Sequence, residues 1–391
     1  MTSAKTMRPS AGLRWTIALF LGFWCLIAAF PLFWIAVMSF KLPVDAFSAN
    51  PFSVIFGPAT RAAGQGLSFL DMGLSAATLI ALWLVATRRL GALVEHATPE
   101  AWLPLGWLLG GLLYGMVAVA VLALLLPAML GGLEAALAGV PVLSLATRPV
   151  VGLTLEHYRN VWVEQEFYRN FLNSLLVTGG VVTISLTVGT LAGYALARTR
   201  SSLAFWLLIS ALIFRALPHS VLVSGYLPPF INSAQILEPI LGDAAPTLYG
   251  QPLAVILVLV AINQPFTIWM LRSFFMSIPP ELDEAARVDG CSHFEAFWRV
   301  IMPVMWPGVI TTGLFSFLLA YNDFLVTSLL LDAQNQTMVP AIAGFFNRET
   351  TTTDQVRAVA AAVSITAPLF LLVMVFQRQI VSGLTAGAVK G

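Results

Sequence analysis

Eight long apolar runs punctuate the chain, near residues 15–39, 69–87, 102–127, 170–195, 203–227, 252–272, 307–331 and 356–376, with the polar residues gathered between them. Each run is close to the roughly 20 residues a helix needs to cross about 30 Å of hydrocarbon. In lipid every backbone N–H and C=O must find its partner within the segment, so runs of this kind are helices. The pattern therefore predicts an all-α polytopic membrane protein with about eight transmembrane helices. Pro31, Pro218, Pro265 and Pro368 fall inside runs, where each removes a donor and bends its helix, and Pro265 also frees the carbonyl of Ala261. The first run is longer than the roughly 7–15-residue core of a secretory signal and leads into Lys41 rather than a cleavage site, so it reads as a retained helix.

Composition agrees with this pattern. Of 391 residues 58% are hydrophobic and only 10% charged, against about 25% charged in soluble domains. A formal net charge of +1 gives no reason to expect nucleic acid as a partner. The charge that matters is local, because Lys and Arg gather on the cytoplasmic side of membrane proteins. With the N-terminus inside, that side receives Lys5, Arg8, Arg14, Arg88, Arg89, Arg198, Arg200, Arg272, Arg287, Arg299, Arg378 and Lys390. The other receives Lys41, Arg61, Arg148, Arg159, Arg169, Arg348 and Arg357. The expectation is a multi-pass membrane protein with both termini cytoplasmic. Cys25 and Cys291 are too few and too far apart in kind to form a disulfide framework and read as unpaired.

The loop between the sixth and seventh runs, residues 274–307, is polar and organised. Ser277 is placed to cap a helix whose first turn holds Pro279, Pro280, Glu281 and Asp283, and Asp289-Gly290 is placed to end it. Ser292 and Glu295 stand at capping-box spacing for a second helix, in which Phe294, Phe297, Trp298, Ile301 and Met302 share one apolar face. Pro303 and Pro307 then frame the return into the seventh span. The segment predicts a cytoplasmic helix–turn–helix that packs its second helix on the bundle and presents its tip.

That loop resembles the EAA loop of permeases of binding-protein-dependent ABC importers: E-A-A, three residues, Gly, about nine more, then I-x-x-P or I-x-L-P. Glu284, Ala285, Ala286, Gly290, Ile301 and Pro303 occupy those positions, and Met302 stands where the family usually has Leu. Further stretches are similar to the sugar-importing branch, the maltose-type second permease, in the family's order. They are SFK at 39–41, LTLEHYRNVW at 153–162, FLNSLL at 171–176, AGYALAR at 192–198, INQPFTIWMLRSFF at 262–275, YNDF at 321–324 and the tail GLTAGAVKG at 383–391.

The resemblance implies a six-helix importer permease core, with an inserted two-helix hairpin near 55–145, after a segment 1–54 holding the first helix and before a core at 146–391. It implies two ATPase subunits that carry ATP and Mg, a second homologous permease and an extracytoplasmic solute-binding protein, with no cofactor on this chain. The ATPase would seat on Glu284, Ala285, Ala286, Asp289, Gly290, Ile301 and Pro303, the two alanines allowing close approach. The tail at 377–391, with Gly387 and Lys390, would also reach the ATPase. The solute would be a sugar or a related polyol, glycoside or glycerol-phosphate compound.

Polar groups at membrane depth face a cavity or one another, and the candidates are Arg215, Asn263, Gln264, Tyr321, Asn322 and Asp323. Such groups suit a polyhydroxylated solute and suit helix–helix hydrogen bonding equally well; Arg215 and Asp323 are also a candidate ion pair. The chain has no G-x-x-x-x-G-K-[ST] phosphate loop, and His96, His157, His219 and His293 have no metal-ligand spacing. The competing readings are an ion-coupled secondary transporter, for which the inverted repeats and intramembrane carboxylates are missing apart from Asp323, and a non-transporting scaffold, which leaves the capped loop unexplained.

Overall fold

The computed structural model describes residues 11–86, 94, 103–121, 125–137, 148–199, 201–215, 219–346 and 351–386. The sequence readings at Lys5, Arg8, Arg88, Arg89, His96, Arg200, Pro218, Arg348, Gly387 and Lys390 lie outside these residues. The principal helices are α1 (Ala11–Ser39), α2 (Phe69–Val85), α3 (Leu103–Ala120), α4 (Leu126–Leu137), α5 (Phe167–Arg198), α6 (Ser202–Arg215) and α7 (His219–Ile231). They continue with α8 (Pro252–Met276), α9 (Glu281–Val288), α10 (His293–Tyr321) and α11 (Thr352–Ala386).

Among the described residues five helices are long and apolar enough to cross a membrane: α1, α5, α8, α10 and α11. The other expected spans are described in part: the run at 69–87 as α2, that at 102–127 chiefly as α3, and that at 203–227 as α6 and α7 on either side of residues 216–218. The seventh span is displaced toward the N-terminus. It begins in the loop at His293, passes through Pro303 and Pro307, and stops at Tyr321 rather than continuing to 331. Pro303 cannot donate to the carbonyl of Arg299, and the turn immediately before it, Phe297–Ile301, is a π turn, the local widening with which a helix absorbs a missing bond.

The chain divides into two compact units. The first holds residues to Thr78, Leu124–Glu164 and Phe345–Ser364. Its β1 (Leu67–Ser68) and β2 (Pro149–Val151) pair antiparallel, so the insertion is closed at its base by a strand ladder that the helical pattern does not announce. Around that ladder Asp45 accepts from the amide and hydroxyl of Thr60 at 2.6 and 2.7 Å, and the Lys41 ammonium donates to the Gly152 carbonyl. The SFK and LTLEHYRNVW segments meet here: Ser39 and Tyr158 share a hydrogen bond of 2.8 Å, and Phe40 stacks on Tyr158 at 5.0 Å.

The second unit is built on α5, α8 and α10. Val177, Val181, Val255, Leu259 and Ile262 form one buried cluster, while Leu271, Phe275, Phe297, Ile301 and Met305 form another at the hairpin end. From the insertion, the Tyr114 hydroxyl of α3 donates to the Leu82 carbonyl of α2, and Gly111 lines an apolar cavity of about 230 Å³ with Phe171, Phe317, Leu371 and Val375.

Candidate functional site

The hairpin after α8 follows from its sequence one bond at a time. Ser277, expected to cap α9, instead turns its hydroxyl back to the Phe274 carbonyl at 2.6 Å and so closes the end of α8. The first turn of α9 is carried by the two prolines, with Pro280 at the cap position and Glu281, Asp283 and Glu284 at the positive end of the helix. The helix stops in a Schellman motif: Cys291 N–H donates to the Ala286 carbonyl at 3.0 Å and Gly290 N–H to that of Arg287 at 3.1 Å. Gly290 sits at φ +95°, a conformation L side chains rarely adopt. The next residues complete the capping box. Glu295 N–H donates to the Ser292 hydroxyl at 3.3 Å and Ser292 N–H to the Glu295 carboxylate at 3.0 Å.

The faces of α9 are sharply divided. Glu281, Glu284, Ala285 and Val288, at i, i+3, i+4 and i+7, are exposed, as are Arg287, Asp289 and Gly290. Asp283 and Ala286 turn toward the bundle, and Ala286 is 5% exposed. The two alanines therefore differ: Ala285 belongs to the presented face, while the small size of Ala286 serves packing within the chain. Val288 is 88% exposed and escaped the sequence reading, although its seven-residue spacing from Glu281 places it on the same stripe.

The anchoring face differs from the expectation too. Phe297, Ile301 and Met302 are buried, whereas Phe294 and Trp298 are exposed and flank an apolar groove of about 480 Å³ against Leu186 and Leu191 of α5. Phe297 and Ile301, on the stripe that continues to Met305, enter the core together with Met302, while Phe294 and Trp298 stay outside it. Pro303 is exposed on the same helix.

The intramembrane candidates fall into separate places. Asn263 is 1% exposed and donates to the Ser316 hydroxyl at 2.8 Å, joining α8 to α10. Gln264 donates to the Ser185 carbonyl at 3.3 Å, joining α8 to α5. The guanidinium of Arg215, in α6, lies over the Phe266 ring at 4.9 Å. Tyr321, Asn322 and Asp323 do not lie inside a span but at the end of α10. Tyr321 is buried and donates to the Ile365 carbonyl at 3.0 Å, Asn322 is exposed, and Asp323 accepts from Thr327 N–H at 2.9 Å to start the turn Leu325–Leu330.

A capped hairpin with one exposed face, set on a bundle of long apolar helices, defines a helical membrane protein. Comparison with known proteins gives that class its family. Residues 185–385 match the model of the binding-protein-dependent transport system inner membrane component, and the chain belongs to that family. The diacetylchitobiose uptake system permease protein of Streptomyces coelicolor is 34% identical over 241 residues, covering 61% of this chain and 82% of that protein. The trehalose transport system permease protein of Mycobacterium tuberculosis is 31% identical over 240 residues, covering 61% and 83%. A bacterial alginate ABC transporter, solved in complex with an alginate pentasaccharide-bound periplasmic protein, is similar at 18% identity and a TM-score of 0.46, covering 69% of this chain and 91% of the matched chain. The protein is accordingly a multi-pass inner-membrane transport permease. The segment near 55–145 lies outside the family match.

Proposed function

We propose that this chain moves a sugar or sugar-like solute across the membrane as one of two related permease subunits. Two separate ATPase subunits would carry ATP and Mg and perform all hydrolysis, and an extracytoplasmic binding protein would deliver the solute. The chain itself holds no cofactor and catalyses no covalent step. Both termini lie in the cytoplasm, and the hairpin α9–α10 is on that side. Its exposed stripe, Glu284, Ala285 and Val288 with Asp289 and Gly290, seats on the ATPase, and the tail with Gly387 and Lys390 follows it. Ile301 and Pro303 act from behind by fixing the second helix.

The observation that carries this reading is the division of α9 into a bundle-facing side and an exposed side that holds Glu284 and Val288. The names of the relatives support a saccharide solute, and exposed Asn322 with Gln264 are the residues we assign to its path. Transport follows when ATP binding favours one of two bundle conformations over the other, so the solute site faces alternate sides.

Glu284→Lys tests the docking role. The variant should insert normally and lose both co-purification of the ATPase and uptake; normal uptake by this variant would remove the hairpin from the coupling path.

A further inference from the structure

The docking hairpin is tied to the bundle by one group of side chains. Arg198, the last residue of α5, places Nε 2.8 Å and Nη2 2.7 Å from one carboxylate oxygen of Asp283 in the first turn of α9. The other Asp283 oxygen accepts from the Tyr194 hydroxyl at 2.5 Å. Through Nη1 the same guanidinium donates to the carbonyls of Phe275 and Ile278, at 3.3 and 3.2 Å, where α8 ends. The Tyr194 ring packs between Phe275 of α8, at 5.5 Å, and Phe297 of α10, at 4.8 Å. Four elements thus converge on a single carboxylate. The pair is largely withdrawn from solvent, with the side chains 20% and 15% exposed, so salt screens it less than a surface pair. At this end α5 and α8 touch backbone to backbone, since a Cβ on Gly193 would lie 3.0 Å from the Arg272 amide nitrogen.

We infer that Arg198, Asp283 and Tyr194 form the mechanical joint through which a displacement of the docking hairpin moves α5 and α8, and are positioning residues for transport rather than contacts to the ATPase. The inference rests on the docking role proposed for α9. Three physical features support it. The first helix of the hairpin, α9, has only eight residues, so its own packing on the bundle is slight. Ala286 is the one fully buried side chain of α9 and offers little apolar grip. A charge-assisted hydrogen bond from Arg198 Nε to one Asp283 oxygen, with the Tyr194 hydroxyl on the other, holds direction as well as distance, so a push on the exposed face at Glu284 and Val288 is passed to α5.

The test uses the whole transporter, isolated through a tag on this chain and placed in lipid bilayers. A reporter cysteine replaces Phe324, exposed beyond the far end of α10, with Cys25 and Cys291 changed to serine. Maleimide labelling is then compared with and without ATP and Mg. Arg198→Gln and Asp283→Asn should retain bound ATPase within about twofold, while the ATP-driven change in labelling falls at least about fivefold, in line with loss of a charged hydrogen bond. The swapped pair Arg198→Asp with Asp283→Arg should recover part of it. An undiminished ATP-driven change in both single variants would overturn the joint.

If those variants do not accumulate, Tyr194→Phe decides the question, because it keeps the ring between Phe275 and Phe297 and removes only the hydroxyl. It should reduce the ATP-driven change by about two- to fivefold, and an unchanged response would refute the inference. Glu284→Lys in the same preparation separates the two readings. Failure of the docking role appears as undiminished ATPase binding by that variant, whereas failure of the joint appears as normal coupling in the Arg198 and Asp283 variants.

Discussion

At the hairpin, Glu284, Arg287 and Asp289 face outward from a helix whose ends are satisfied by its own turn and cap. In the seam where α8 meets α5 and α10, Asn263, Thr267 and Ser316 are buried and bond across helices instead. Polar residues sit in apolar surroundings in both regions, yet one set presents and the other binds inward. The hairpin can leave its polar side chains unoccupied because its backbone demands are met locally. The seam is buried, and an interhelical hydrogen bond there is worth about 0.6 kcal/mol on average and up to roughly 2. Presentation is a device for partners, and mutual bonding is a device for fixing helix register.

The comparison breaks most sharply at Gly290. Gly290→Val places a β-branched residue at φ +95°, a conformation that costs a non-glycine residue about 1–3 kcal/mol. No neighbour lies within 4 Å of the added Cβ, so the effect is one of backbone conformation alone. The hairpin should lose its turn and the purified transporter its binding-protein-stimulated ATP hydrolysis, while the chain still inserts. Gly290→Asn should keep a substantial part of the activity, because Asn tolerates the left-handed region. Equal activity in the Val and Asn variants would show that the turn is not what presents Glu284.

The same division explains what the sequence could and could not disclose. The Schellman turn and the Ser292–Glu295 box obey rules confined to a few residues, so both could be placed before any fold was known. The Ser277 cap failed because two helices competed for one hydroxyl, and the end of α8 won. Tyr321, Asn322 and Asp323 were placed inside a span because an apolar run continues past them, whereas Asp323 starts a new turn there by accepting from Thr327. The β1–β2 ladder and the Arg198–Asp283 pair join residues more than eighty positions apart, and no periodicity carries such information. Tyr194 and Arg198 belong to the AGYALAR segment, but nothing in its spacing points to Asp283.

A smaller effect separates the seam from the exposed end of α10. Asn263→Leu removes a buried donor and leaves the Ser316 hydroxyl without it, which should lower resistance to unfolding in mixed detergent by about 1–2 kcal/mol. Asn322→Leu alters an exposed residue, and it should leave that resistance unchanged and shift the rate or preference of uptake. If the Leu at 263 changed uptake at full stability, the seam would belong to the solute path after all.

The smallest expected effect lies in the first unit, where His157 is 4% exposed with Nε2 3.0 Å from the Lys41 carbonyl. Burial holds its pKa below the ordinary 6.5, and Arg357 adds to this; the Lys41 carbonyl and Glu156 oppose it less strongly. The folded chain therefore binds fewer protons than the unfolded one between the folded pKa and 6.5. The stability that comes from the neutral ring is present above 6.5 and is lost as pH falls through the folded pKa. Thermal unfolding followed from about pH 7.5 to about pH 5 should show Tm declining by at least about 2 °C, and His157→Gln should remove that decline while keeping a donor toward the Lys41 carbonyl. A Tm that falls identically in both proteins would assign the acid sensitivity to groups other than His157.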